Sequence, residues 1–137
     1  MPQHELPGAA KRVVEALTRA CEDERGRWIL SSAHRQPASE LALTGISSGR
    51  LQNVIIDRSF IDKHGIRWVI DYKTSTHEGA DPEAFLEQQL ERYRAQLTSN
   101  SQLARALGPE PVRAALYLPL LGAFRELPLS EGVGYRE

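Results

Sequence analysis

The sequence predicts an α/β domain, a central mixed sheet flanked by helices, and three stretches carry that expectation. Val54 to Ser75 alternates apolar and polar residues across a short glycine-containing turn, as a β-hairpin does. Asp81-Pro82 opens a long segment with apolar residues at helical spacing. Val112 to Leu121 is a strongly apolar run suited to a buried strand. With 137 residues the chain has the length of one domain, and 41% hydrophobic against 26% charged residues is ordinary for a globular protein. The formal net charge of −1 shows no bulk basic surface, so any nucleic-acid contact must rest on local placement of charge. No run approaches the roughly 18 apolar residues of a membrane span and no signal peptide opens the chain, so the expected setting is cytoplasmic with no membrane partner.

Taken in order, residues 1–8 hold two prolines and a glycine and are expected to form a flexible leader to a domain spanning 9–129. From Ala9 the positions Ala10, Val13, Val14, Leu17, Ala20 and Cys21 predict an amphipathic helix to about Asp23. The acidic run Glu22-Asp23-Glu24 opposes the helix dipole and marks an end in solvent. Trp28 to Leu30 is apolar and suits a brief strand, and Ala33 to Ser39 reads as a polar loop around Pro37. Glu40 to Ile46 is expected as a strand with Leu41 and Leu43 on one face and Glu40, Ala42 and Thr44 on the other.

The hairpin has arms Ile55 to Asp62 and Ile66 to Lys73, joined through Lys63-His64-Gly65. Asp62 at the first turn position and Gly65 three residues later suit a type I turn followed by a left-handed glycine. That loop puts Ile61 opposite Arg67, and counting back puts Asp57 opposite Asp71. By alternation Asp57, Asp71 and Lys73 share one face, while Ile56, Phe60, Trp68, Ile70 and Tyr72 form a core surface on the other. Opposed carboxylates about 5 Å apart destabilise a strand pair, so they require a reason. A divalent cation such as Mg²⁺ (or Mn²⁺) between them supplies one, and Lys73 brings a cation able to orient a nucleophilic water or stabilise charge on a phosphate. The structural alternative makes both aspartates ordinary polar residues paired with Arg58 or Arg67.

The pattern I-I-D-R, a short turn, then W-V-I-D-Y-K-T resembles the PD-(D/E)XK nuclease superfamily, and within it the RecB/AddA-type nuclease domain at the C-terminus of helicase-nucleases. The resemblance runs from about Glu40 to Leu121, with Asp57, Asp71 and Lys73 on the two acidic positions and the lysine. It implies a restriction-endonuclease-like core, α-β-β-β-α-β, and a Mg²⁺-dependent deoxyribonuclease acting on DNA supplied by a helicase in the same chain or in a partner subunit. Relatives often carry a glutamate on the preceding strand, where Glu40 falls, which makes Glu40 a third candidate metal ligand; the alternative is a solvated strand-start glutamate.

The helix after Asp81 is expected to run to about Leu107, with Phe85, Leu86, Leu90, Tyr93, Leu97, Leu103 and Leu107 against the sheet. Gln89, Tyr93 and Gln96 are expected on one side. The family's helix carries Y-x-x-Q-L-x-x-Y; Tyr93-Arg94-Ala95-Gln96-Leu97 matches its first part, Asn100 stands where the last tyrosine belongs, and Gln89 to Tyr93 offers a Q-x-x-x-Y spacing instead. Gln96 and Tyr93 therefore join the candidate catalytic set, as groups able to hydrogen-bond a phosphate or base edge, or to stack. Relatives also have a helical histidine upstream. His4 is too close to Glu40 for that role, and His34, His64 and His77 are expected in loops, so that histidine is expected either before this segment, the favoured alternative, or not in the chain at all. The single cysteine, Cys21, excludes an internal disulfide and the four-cysteine iron-sulfur cluster of some relatives. Phe124 to Leu129 is expected as an edge strand, and residues 130–137 as a disordered tail. Two other readings stand beside the nuclease: a degenerate nuclease fold that binds DNA or subunits, and a Mg²⁺ enzyme for another phosphate ester. The chain has no glycine-rich phosphate loop, which argues against a nucleotide-driven motor.

Overall fold

The computed structural model describes residues 6–47, 49–76 and 81–129. Two helices, α1 (Leu6–Glu22) and α2 (Glu24–Leu30), precede three strands, β1 (Arg35–Ser47), β2 (Arg50–Ile61) and β3 (Arg67–Tyr72). Helices α3 (Pro82–Arg92) and α4 (Arg94–Ala104) follow, then a 3-10 turn, β4 (Val112–Leu118) and β5 (Ala123–Leu127). The strands make one sheet in chain order, β1 to β5. Only the β3–β4 pair is parallel, because the helices between them carry the chain back across the sheet. The result is an α/β fold around a five-stranded mixed sheet.

The hairpin register follows the turn. Gly65 has φ +79° and its N–H reaches the Asp62 carbonyl at 3.0 Å, which closes the three-residue loop. Asp62 holds this loop with its side chain, accepting from the His64 and Ile66 N–H groups at 2.8 and 3.1 Å and from Trp68 Nε1 at 2.8 Å. Burial works to raise its pKa, but the donors from Trp68, Ile66 and His64 prevail and hold it below the ordinary carboxylate value. Ile61 pairs with Arg67 and Arg58 with Ile70.

Two apolar clusters occupy the two faces of the sheet. Ile56, Val69, Leu86, Leu90, Leu97, Leu116 and Leu118 form the one beneath α3 and α4. Ile29, Phe60, Trp68, Ile70 and Tyr117 form the other, against α2. Ile56 and Phe60 thus lie in different clusters, although even spacing assigns them to one face. The change falls at Glu40, which stands between the pairs Ser39–Arg58 and Leu41–Ile56 with a left-handed φ of +53°. A residue in that conformation breaks the alternation, so Ser39 meets Arg58 on the α2 side while Leu41 and Leu43 pack under α4.

Several expected boundaries change. Leu6 to Gly8 belong to α1 rather than to a leader, and residues 1–5, His77 and the expected tail 130–137 lie outside the described residues. Trp28 to Leu30 is the last turn of α2 and not a strand. The acidic run that ends α1 also starts α2, because Asp23 caps it, accepting from Gly26 N at 3.1 Å and from Tyr117 Oη at 2.7 Å. Trp28 then packs edge-on against Phe60 and Trp68, which fixes the short helix to the sheet. Arg35 to Ser39 extends β1 instead of forming a loop. Pro37 is tolerated there because β1 is an edge strand and the pairing shifts register between Arg35 and Ala38. The single long helix is two helices broken at Tyr93, whose φ of −106° and ψ of 12° leave helical geometry. His34 is not a solvated loop residue: it stacks on Phe60 with ring centroids 4.0 Å apart, and one ring nitrogen lies 2.6 Å from the Trp28 carbonyl.

Candidate active site at the end of the central strands

The β2–β3 register, continued one step past Arg58–Ile70, brings Asp57 across from Asp71. The ladder ends there, and the Asp57 carboxylate accepts the Tyr72 N–H at 2.8 Å in place of a carbonyl. On the other side of β3 the Lys73 N–H donates to the Tyr117 carbonyl at 3.0 Å, so β4 holds the strand straight through Lys73. Asp71 is 3% exposed. Its carboxyl stands against that of Asp57 across the strand pair. Burial first, then that contact, raise the Asp71 pKa to about 6 against the pull of Lys73. Lys73 Nζ stands 3.1 Å from Asp71 Oδ2, yet this oxygen receives no well-aligned hydrogen bond from the described residues. The same ammonium lies 3.9 Å from the centre of the Tyr93 ring. The helix break therefore has a local consequence, since it sets the Tyr93 ring over Lys73.

Asp57, Asp71, Lys73 and Tyr93 are thus brought together. Glu40 and Gln96 are not. Glu40 is exposed on β1, and among the described residues no three His, Cys, Asp or Glu side chains gather as a metal-holding group. Gln96 is exposed on α4, past the break, whereas Gln89 is buried on α3 with its Oε1 unpartnered among the described residues. The break at Tyr93 separates the two helices, and with Gln89 buried and Gln96 exposed the residues Gln89, Tyr93 and Gln96 do not share one surface. Asn100 is buried, at 2% exposure, as a packing residue of α4.

Neither arginine that a purely structural aspartate pair would use is turned toward it. Arg58 donates to the Ile29 and Ser31 carbonyls at 2.9 and 3.0 Å and to Ser39 Oγ at 3.1 Å, closing the C-terminus of α2. Arg67 pairs with Glu110 at 3.0 Å and with Gln36 at 3.1 Å. The signal for Arg58 lay in the sequence as a charge inside an apolar strand, next to Asp57. Two opposed carboxylates, one with a buried oxygen that no well-aligned donor among the described residues reaches, are hard anionic oxygen groups of the kind that suit Mg²⁺ or Mn²⁺, and the Lys73 ammonium stands beside them.

The fold and site together define an α/β domain with a carboxylate pair and a lysine at the ends of its central strands. No protein-family model matches the sequence, and no curated protein matches it.

Proposed function

We propose that this chain is a Mg²⁺- or Mn²⁺-dependent deoxyribonuclease domain of restriction-endonuclease-like type, the nuclease part of a helicase-nuclease. The observation that carries this reading is the facing pair Asp57 and Asp71 with Lys73 on the same site. Two helices, three antiparallel strands, two helices and a parallel strand, with a further antiparallel strand after it, are compatible with that reading. A bound divalent ion supplies positive charge to the scissile phosphate and acidity to a water. The chain's own groups divide the remaining work. Asp57 and Asp71 hold the ion, with Asp57 fixed by the Tyr72 N–H. Lys73, oriented by Asp71 and the Tyr93 ring, directs a water toward the phosphate and stabilises negative charge developing there. Tyr93, at the junction of α3 and α4, flanks the same point and presents a ring for stacking.

Degradation of plasmid and of single-stranded DNA, with and without Mg²⁺ or Mn²⁺, tests the reading. Lys73→Ala is expected to reduce cleavage by about 10²-fold or more, while metal binding followed by calorimetry persists because both carboxylates remain. Cleavage by Lys73→Ala at the parent rate would remove the nuclease assignment. A metal-independent DNA binder without cleavage would favour the degenerate-fold reading.

A further inference from the structure

The first strand ends the sheet and pairs only with β2 among the described residues, so one row of its backbone N–H and C=O groups has no strand partner. The opposite edge, β5, is protected in the usual way, being five residues long and charged at Arg125 and Glu126. The N-terminal half of β1 is protected too, by Arg35, Pro37 and the left-handed Glu40. Leu41 to Ser47 has none of these devices. It is seven residues of uncharged, proline-free strand.

The two faces of that segment differ. Helix α4 covers the inner one: Ser47 Oγ donates to Gln102 at 2.5 Å, and Leu103 lies so close to Gly45 that a Cβ there would stand 2.6 Å from it. The outer face is open. It carries the cross-strand pairs Ala42–Ile55, Thr44–Asn53 and Ile46–Leu51, with Ile55, Ile46 and Leu51 exposed by 62, 65 and 71%. Two aliphatic rows thus flank a polar one, in which Thr44 Oγ1 donates to Asn53 at 2.6 Å.

This pattern is self-complementary about Thr44. Antiparallel pairing of Leu41–Ser47 with the same segment of a second copy, centred on Thr44, sets Ala42 beside Ile46 and Thr44 beside Thr44. Each outer row then reads Ile55, Ala42, Ile46, Leu51 across the two chains, and the middle row is Asn53, Thr44, Thr44, Asn53. Aliphatic meets aliphatic, polar meets polar, and no charge is buried. We infer that β1 is a dimerisation edge, whose occupant is a second copy of this chain joined through Leu41–Ser47 about a two-fold axis at Thr44.

Sedimentation equilibrium of the full chain across the micromolar range tests this, with a concentration-dependent dimer expected. Thr44→Lys and Thr44→Glu each oppose like charges at the axis and are expected to weaken the dimer about tenfold or more, while an equimolar mixture restores it as a heterodimer. Circular dichroism is expected to show both variants folded, because Thr44 is exposed. A monomeric parent chain overturns the inference, as do charge variants that dimerise like the parent or a mixture that fails to recover. Should both charged variants unfold, Thr44→Cys in a Cys21→Ser background decides. Mild oxidation is expected to crosslink the pair of chains through position 44, and absence of the crosslink overturns the inference.

Discussion

At the residue scale the decisive group is Asp71. An isolated carboxyl has a pKa of about 3.9, and burial with Asp57 alongside raises that of Asp71 to about 6. The linkage follows in sign. The folded state binds the proton more tightly than the unfolded one, so this group favours folding below the unfolded pKa, and that contribution is lost as pH rises through about 6. Above that range the ionised Asp71 costs on the order of 3 kcal/mol in the metal-free chain, the pKa difference converted at 1.36 kcal/mol per unit. Asp71→Asn removes the charge at nearly constant shape. In EDTA at pH 7.5 it is expected to melt at or above the parent temperature, to lose much of the stability slope between pH 4 and 6.5, and to gain less from added Mg²⁺. Scanning calorimetry checks all three. A large drop in the melting temperature of the metal-free variant would make Asp71 a structural residue and sink the metal-site argument. Asp62 is the contrast on the same hairpin, a buried carboxyl whose oxygens are satisfied by N–H donors and whose pKa falls instead. Two aspartates nine residues apart on one hairpin therefore titrate in opposite directions because of what faces their oxygens.

At the element scale, the joint between α1 and α2 shows how a short helix is made to form. Seven residues are too few to be helical on propensity alone. Asp23 caps the first turn, Arg58 closes the last, and Tyr117 Oη ties the cap to β4. Gly26 permits this closeness, since a Cβ at that position would stand 2.2 Å from the Ala20 carbonyl oxygen and 2.6 Å from Tyr117 Oη. Backbone cannot give way as a side-chain tip can. Gly26→Ala is expected to cost about 2 kcal/mol or more, despite alanine's better helix propensity, and urea unfolding measures it. A neutral or stabilising result would mean that α1 and α2 are not held together as described. At Gly45 the neighbouring atom is instead the end of the Leu103 side chain, so a Cβ there meets a group that can rotate.

For the molecule as a whole, the helices between β3 and β4 connect the core to the site. Leu97 on α4 is fully buried in the larger cluster with Ile56, Val69 and Leu116, three residues before Asn100 and four after Tyr93. Its Leu97→Ala change is expected to cost about 3 kcal/mol through the cavity it leaves. Because the same helix places Tyr93 over Lys73, DNA cleavage should fall further than the folded fraction measured by circular dichroism. Cleavage that tracks the folded fraction alone would show that the helix does not position the site. No helix among the described residues is long and apolar enough to cross a membrane.

What the sequence determined by itself was local. A three-residue loop closed by Asp62 and Gly65 allows one register, and that register alone puts Asp57 across from Asp71 with Lys73 two residues on. The Asp81-Pro82 helix start and the apolar run from Val112 were equally legible, because caps and periodicity act within a turn or two of chain. Tertiary structure decided the rest. Trp28 to Leu30 is helical because Asp23 and Arg58, at opposite ends of α2 and the latter far along the chain, satisfy its termini. The strand before the hairpin runs through Pro37 because it lies at the sheet's edge, and it changes face at Glu40, which leaves that carboxylate exposed rather than at the site. The α3–α4 segment breaks at Tyr93, so Gln96 points away while the Tyr93 ring comes to Lys73. In each case residues with acceptable local propensities were selected by partners distant in sequence, and contacts of that range leave no periodic trace in the segment they shape.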